Sequence, residues 1–262
     1  MSDAQKVLIR HGSKSVTFEI TKPFDFIQKK ILQGKQFYEY EMLLDAASRL
    51  LPGALCVDAG ANIGNHTLFF AGICGASVVA VEPNAENASL LLRNAELSGC
   101  SDLVEMHEVA AGQELGAGSV EITDPSNTGK VRVRQEADGE VAIVRLDDLL
   151  EGRPVSLLKI DVEGMELEVL KGASRILRED RPALYVEAGS TQEFAAVQGF
   201  LADRGYAMTC RFNSTATYLF EVAESEADVV RILLRATAAM RNEMRENRIQ
   251  IQKLVHETKR TH

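Results

Sequence analysis

Apolar and polar residues follow one another in distinct rhythms along the chain, and the changes of rhythm mark its organisation. Near the amino terminus Val16-Thr17-Phe18-Glu19-Ile20 has the two-residue period of a half-buried strand, and Phe37 to Leu51 has helical spacing ended by Pro52-Gly53. Residues 1–54 therefore read as an N-terminal α/β cover rather than as core. From Leu55 short apolar runs alternate with helical patterns. Strands are expected at Leu55 to Asp58, Ser77 to Glu82, Val104 to Val109, Leu157 to Asp161 and Ala183 to Glu187. The intervening helices run from the glycine turn through Ala71, over Ala85 to Leu97, over Met165 to Leu177 and over Glu193 to Arg204. Such alternation predicts a doubly wound α/β domain with a parallel sheet and right-handed crossovers. Two further strands, Tyr206 to Arg211 and Thr217 to Val222, lie close enough to pair antiparallel, and they close the domain at residues 55–223.

Residues 112–144 interrupt this order. Their glycines and the alternating Val131-Arg132-Val133-Arg134 suggest an insertion of strands joined by turns. Residues 224–262 change character again, rich in Arg, Glu, Gln and Asn. Val230, Leu233, Met240, Met244, Ile251 and Leu254 fall on heptad-like spacing interrupted by Thr237 and Asn247. This predicts an extended helix, a coiled coil through which the chain would form a homo-oligomer or dock to a biosynthetic partner enzyme; a helix packed on its own domain is the alternative.

Composition narrows the classes. With 262 residues, 45% apolar and 26% charged, the chain suits one enzyme-sized domain with appendages. A net charge of -9 repels polyphosphate backbones, so no nucleic-acid substrate is expected. No segment has the roughly twenty apolar residues a membrane span needs, and the amino terminus lacks a cleavable leader pattern, so the expected setting is cytoplasmic. The four cysteines, Cys56, Cys74, Cys100 and Cys210, are scattered and read as buried free thiols.

The first expected strand runs into Val57-Asp58-Ala59-Gly60-Ala61-Asn62-Ile63-Gly64, at the place where open α/β sheets bind ligands. Gly60 and Gly64 let backbone approach a ligand, and a following helix offers N–H groups to a carboxylate such as that of S-adenosylmethionine. Glu82, closing the next strand in Val81-Glu82-Pro83, is placed to accept both ribose hydroxyls. A G-x-G-x-x-G pyrophosphate turn is absent, which argues against a dinucleotide. The bland alternatives are a satisfied turn acid for Asp58 and a helix N-terminal acid for Glu82.

Beyond that turn, Phe37-Tyr38-Glu39, Asn65-His66-Thr67, Val81-Glu82-Pro83-Asn84, Leu146-Asp147-Asp148-Leu149 and Leu158-Lys159-Ile160-Asp161-Val162-Glu163-Gly164-Met165-Glu166 form a set. With these blocks the chain resembles the FkbM family of S-adenosylmethionine-dependent methyltransferases over roughly residues 37–220. The resemblance implies a class I methyltransferase fold, Rossmann-like with seven strands. It also implies S-adenosylmethionine as cofactor and methyl transfer to a hydroxyl of a sugar, glycan or other natural product. On this reading Tyr38, Asp58, Gly60, Asn62, Gly64, Glu82, Pro83, Asn84 and Asp161 are expected at the cofactor, with Glu108 and Val109 as adenine contacts.

Methyl transfer from a sulfonium is an in-line displacement, so the acceptor oxygen must be aligned and relieved of its proton. Acids at the ends of neighbouring strands are the candidates: Asp161 first, then Glu163 and Glu187, with His66 as a second choice of base. For Glu163 and Glu166 the alternative is first-turn helix acids, which is preferred for Glu166. Asn127 and Thr128 in the insertion lie where they would reach over the crevice or form a surface turn. No histidine or cysteine spacing indicates a metal, although hard ions need none. Two other functions stay open: an NAD(P)-dependent oxidoreductase on the same fold, and a non-catalytic scaffold recruiting partners through its last helix.

Overall fold

The computed structural model describes residues 5–124, 126–127, 131–223, 225–234 and 237. The chain opens with a hairpin, β1 (Gln5–His11) and β2 (Lys14–Ile20), followed by α1 (Phe26–Gly34) and α2 (Tyr40–Ala47). The alternating part begins with β3 (Leu55–Ala59), α3 (Asn65–Leu68), β4 (Ser77–Val81), α4 (Ala85–Leu97) and β5 (Val104–His107). An inserted region holds β6 (Ala110–Ala111), β7 (Gly116–Ile122), β8 (Val131–Gln135) and β9 (Val141–Val144). Then come α5 (Leu146–Leu149), β10 (Leu157–Ile160), α6 (Glu166–Gly172), β11 (Ala183–Glu187), α7 (Thr191–Ala202), β12 (Tyr206–Phe212) and β13 (Thr217–Val222).

Seven strands form the main sheet in the order β12-β13-β11-β10-β3-β4-β5. All neighbours from β11 to β5 are parallel, and β13 is antiparallel to both β11 and β12, as the spacing of the last two strands predicts. The order reverses beside β3, whose successor β4 lies on one side and β10 on the other. That reversal opens a crevice beyond the carboxyl ends of the strands. The insertion is a separate sheet of four strands, β6-β9-β7-β8.

Buried strand residues alternate between two cores. Cys56, Val78, Leu157, Tyr185 and Leu219 join one, and Val57, Val79, Leu158, Leu184 and Phe220 join the other. The first is where expectation and structure part. Residues 5–54 are no mere cover, because Val16, Phe18, Ile20, Ile31, Phe37 and Leu43 are buried in the same cluster as Cys56 and Leu157. Tyr185 on β11 ties this layer down, its hydroxyl donating to Asp45 Oδ1 of α2 at 2.6 Å.

Helix boundaries follow local chemistry. Asn84 caps α4 by accepting from the N–H of Glu86 and Asn87, and Ser190 with Glu193 forms a capping box on α7. Where one long helix is expected after the glycine turn, α3 gives way to a π-helical turn over Phe69–Cys74, and the helix after β10 breaks before a second such turn at Ile176–Asp180.

In the tail, residues 226–234 are helical, with Ile232 buried and Val230 and Leu233 exposed. Met240, Met244, Asn247, Ile251 and Leu254 lie outside the described residues, and so does Thr128. No helix among the described residues is long and apolar enough to cross a membrane. The cysteines are free, Cys56 and Cys100 buried and Cys74 and Cys210 half-buried.

Candidate active site

A cavity of about 480 Å³ occupies the crevice at the strand reversal. Its floor begins with the turn after β3. Gly60 adopts φ +78°, and a Cβ there would lie 1.7 Å from the backbone oxygen of Asp161, the residue that follows β10. The glycine is therefore required by another part of the protein, not only by a ligand as the turn alone suggests. Gly64, with φ +92°, opens α3, and a Cβ there would meet only the side chains of Leu68 and Leu91. Asn62 also takes a left-handed conformation, φ +50°, which turns its N–H to Glu82 Oε2 at 2.8 Å.

Glu82 is buried beyond the end of β4, and its Oε1 accepts from the N–H of Asn84 at 3.0 Å. Burial raises its carboxyl to about 7 against the lowering effect of the Asn84, Asn62 and Asn87 hydrogen bonds. A carboxylate has about four acceptor sites, so three donors fix its orientation and leave capacity for a hydroxyl. Glu82 and Pro83 line the cavity, whereas Asn84 holds Glu82 from behind as the cap of α4.

Beneath the turn lies a pair that the motif contains but that pattern reading did not single out. Lys159 on β10 stands in register with Asp58 on β3, and both are buried. Its ammonium lies 3.1 Å from Asp58 Oδ1 and 3.5 Å from Asp161 Oδ2, and it donates to the carbonyl of Gly60 at 2.8 Å. Burial works against the charge on Lys159, but Asp58 and Asp161 outweigh it and raise its pKa. Thr67 donates to the other oxygen of Asp58 at 2.6 Å. Asp58 thus supports the floor without lining the cavity. A lone lysine inside an otherwise apolar strand was the available signal, since a buried ammonium needs a partner.

Across the cavity stand Asp161, Glu163 and Glu187, each offering an oxygen within 4.8 Å of the others. The strand has ended before Asp161, and Glu163 sits in a left-handed turn at φ +53°. Glu166 holds that turn from the start of α6, accepting from the N–H of Gly164 at 3.0 Å, so it serves the loop, as its helix-acid reading anticipates. Asp161 and Glu187 are held unequally. Although burial opposes ionisation of Asp161, Lys159 and a hydrogen bond from Glu187 lower its pKa; burial and the charge of Asp161 raise that of Glu187. The pair therefore keeps one proton on Glu187 and the charge on Asp161. Among the described residues these three acids converge closely enough to ligate a hard divalent ion.

The remaining wall comes from the N-terminal layer. Asn65 of α3 exchanges two hydrogen bonds of 2.9 Å with the backbone of Tyr38, which places Tyr38 and Glu39 at the cavity. Burial and then the charge of Glu39 raise the Tyr38 hydroxyl. His66 Nε2 lies 3.1 Å from Glu39 Oε2, so the histidine is anchored by the acid of the Phe37-Tyr38-Glu39 block, to which the sequence pattern assigns no role. Phe26 packs edge-on against Tyr38 at 5.9 Å, and its N–H donates to the carbonyl of Ser126, joining α1 to the insertion. Asn127 lines the cavity as well.

Glu108 and Val109, expected as adenine contacts, do not line the cavity. The strand ends at His107 and the chain crosses to β6 of the insertion, which leaves Glu108 exposed and Val109 packed against the second core. Ala110 and Ala111 line the cavity instead.

Residues 58–208, more than half of the chain, match the model of the methyltransferase FkbM domain. The chain is 29% identical over 203 residues to Methyltransferase 1 of Beauveria bassiana, covering 66% of this chain and 81% of that protein. It is 32% identical over 126 residues to the hexuronic acid methyltransferase AglP of Haloferax volcanii, covering 46% of this chain and 50% of that one. Among solved structures, methyltransferase FkbM from Methylobacillus flagellatus superposes with a TM-score of 0.51 at 22% identity, over 66% of this chain and 44% of that protein, a likeness of fold.

Proposed function

Because the chain belongs to the FkbM methyltransferase family, we propose that it transfers a methyl group from S-adenosylmethionine to a hydroxyl oxygen of a sugar, glycan or other hydroxylated natural product. The observation that carries this reading is the single cavity in which the Gly60 turn and Glu82 face Asp161 and Glu187. The residues suit the cofactor: Glu82 has acceptor capacity for a ribose hydroxyl, and the acids near Asp161 suit an ammonium and a sulfonium. S-adenosylmethionine, when bound, would supply an electrophilic methyl carbon whose bond to sulfur breaks as the acceptor oxygen bonds to it, with a neutral thioether as the leaving group.

The chain's own groups then have separate tasks. Glu82, fixed by backbone N–H groups, orients the ribose. Asp161, ionised beside Lys159, accepts the hydrogen bond of the acceptor hydroxyl and takes its proton as the new C–O bond forms. Glu187, protonated, donates to Asp161 and keeps it aimed. His66, anchored by Glu39, is the second candidate base. Tyr38 and Phe26 close the cavity from the N-terminal layer, and the sugar in the name of the Haloferax relative supports a glycan acceptor. Membership of a methyltransferase family leaves the oxidoreductase alternative without support. A cytoplasmic setting and self-association through residues 224–262 belong to the same proposal.

Calorimetry and a labelled-methyl assay test it. The protein is expected to bind S-adenosylmethionine and not NAD, with Glu82→Ala weakening that binding at least about tenfold and Asp161→Ala lowering turnover at saturating cofactor. NAD binding without S-adenosylmethionine binding would remove the proposal, and full activity of Asp161→Ala would remove the role of that residue.

A further inference from the structure

Resting on the hydroxyl-transfer reading, we propose that the turn between β12 and β13 reads the acceptor. Ser214 and Thr215 hydrogen-bond a second hydroxyl, so the acceptor is a polyol with a further hydroxyl beside the one that reacts. The turn is fixed by its own first residue. Phe212 ends β12 and Thr217 opens β13, and between them Asn213 takes a left-handed conformation, φ +64°, which asparagine tolerates. Its amide donates to Thr217 Oγ1 at 2.9 Å and to Met42 Sδ of α2 at 3.7 Å, which fastens the turn to the N-terminal layer. Ser214 and Thr215 follow, both exposed and both lining the cavity. Among the described residues neither hydroxyl has a hydrogen-bond partner, so each keeps a donor and two acceptor sites for a ligand.

The sheet sets which end of the cavity they face. β13 is the antiparallel neighbour of β11, with Thr217 opposite Glu187, and one step beyond it the N–H of Ala188 donates to the carbonyl of Ala216 at 2.9 Å. The ladder that brings Glu187 to the cavity therefore carries the turn just past it. Glu82 follows β4, and β11, β10 and β3 lie between that strand and β13. At about 4.8 Å per strand the turn is roughly 19 Å across the sheet from the ribose end, and it belongs with the acids.

The turn also lies outside what the family shares. Gly60, Glu82, Asp161 and Glu187 fall within the matched residues 58–208, whereas Tyr38, Glu39, Ser214 and Thr215 fall outside them. The contact of Asn213 with Met42 joins these two flanks into one rim. Transfer from a common cofactor needs the shared residues, and the choice of acceptor is left to the rim. Two short uncharged hydroxyls suit that task, because they exchange hydrogen bonds with a polyol, whereas an apolar acceptor packed on them would cover polar groups without replacing their bonds to water.

The test uses the full chain, labelled S-adenosylmethionine, methyl hexosides, their single-deoxy counterparts and cyclohexanol as a one-hydroxyl acceptor. Ser214→Ala/Thr215→Val is expected to raise KM for the best hexoside at least about fivefold, with kcat and cofactor affinity within about twofold of the unaltered protein. Ser214→Thr/Thr215→Ser keeps both hydroxyls and should leave KM near its original value. One deoxy hexoside should show the raised KM already with the unaltered protein, and no further rise with Ser214→Ala/Thr215→Val. An unchanged KM in that variant, an equal rise for every deoxy hexoside, or cyclohexanol turned over as well as the hexoside would overturn the proposal while leaving methyl transfer to hydroxyls intact. A loss confined to cofactor affinity would overturn it as well, by assigning the pair to the cofactor. Transfer to none of these acceptors would remove the hydroxyl reading, and this inference with it.

Discussion

Glu82 and Glu187 both stand at the carboxyl ends of strands in one cavity, and they are held in opposite ways. Glu82 is gripped by backbone N–H groups of Asn62 and Asn84, so its oxygens have fixed directions. Glu187 faces other carboxyl groups, Asp161, Glu163 and Glu39, and burial and these charges together keep it protonated. One half of the cavity is thus built from hydrogen bonds internal to the fold and is ready to read a ligand's hydroxyl. The other is a cluster of like groups brought together at the ends of β10 and β11, with the ammonium of Lys159 beside Asp161 and the shared proton on Glu187. Rigid recognition and chargeable chemistry are separated across a distance that Gly60 and Lys159 bridge.

The bridge is where substitution should do most damage. Gly60→Ala puts a methyl on the carbonyl of Asp161, so it is expected to cost at least about 4 kcal/mol and to abolish cofactor binding. Gly64→Ala meets only movable side chains and should cost about 1–3 kcal/mol for its left-handed backbone. Denaturant unfolding of the two variants checks the contrast, and equal losses would show that Gly60 has no special part in joining the halves.

Next comes the buried ion pair. Lys159→Met leaves Asp58 buried without its cation and should cost about 3–4 kcal/mol, with much of the loss recovered in Asp58→Asn/Lys159→Met. A double variant as unstable as the single one would mean that the pair is not the reason for the loss.

The smallest effect separates the halves by pH. The Glu82 carboxyl is raised from 4.5 to about 7, so its contribution to stability is complete below about pH 4.5 and is lost as pH rises through about 7. The loss amounts to roughly 3 kcal/mol for a shift of that size. Cofactor affinity should move the other way, increasing through about pH 7 as the carboxylate forms to receive a ribose hydroxyl. Stability and binding measured from pH 5 to 8 should show both slopes, and Glu82→Gln should lack them. An affinity slope that survives in Glu82→Gln would assign the titration elsewhere in the cavity.

Much of this organisation was visible along the chain because its causes are local. A buried strand such as Leu157–Ile160 is apolar throughout, a helix cap such as Asn84 bonds to residues two and three positions away, and a parallel sheet follows from strands separated by helices. The amino-terminal strand Gln5–His11 and helix Phe26–Gly34 were not legible: exposed Leu8 stands between buried Val7 and Ile9 and hides the strand's alternation, and buried Gln28 interrupts the apolar face of the helix. Their buried residues share the first core with Cys56 and Leu157, far along the chain. Glu108 and Val109 illustrate the same limit. Their sequence continues a strand, but the chain leaves the sheet for the insertion, whose β6 pairs with β9 more than thirty residues later.

Period, turn residues and strand-end acids are set within a few residues, so the sequence alone specifies a doubly wound domain and marks Gly60, Glu82 and Asp161 as candidates at its strand ends. Only the tertiary structure decided why they act together. The register of β3 against β10 places Lys159 beside Asp58, and the carbonyl of Asp161 against Gly60. The same packing sets Asp161 against Glu187, and charge at such distances is governed by burial and neighbours rather than by residue type.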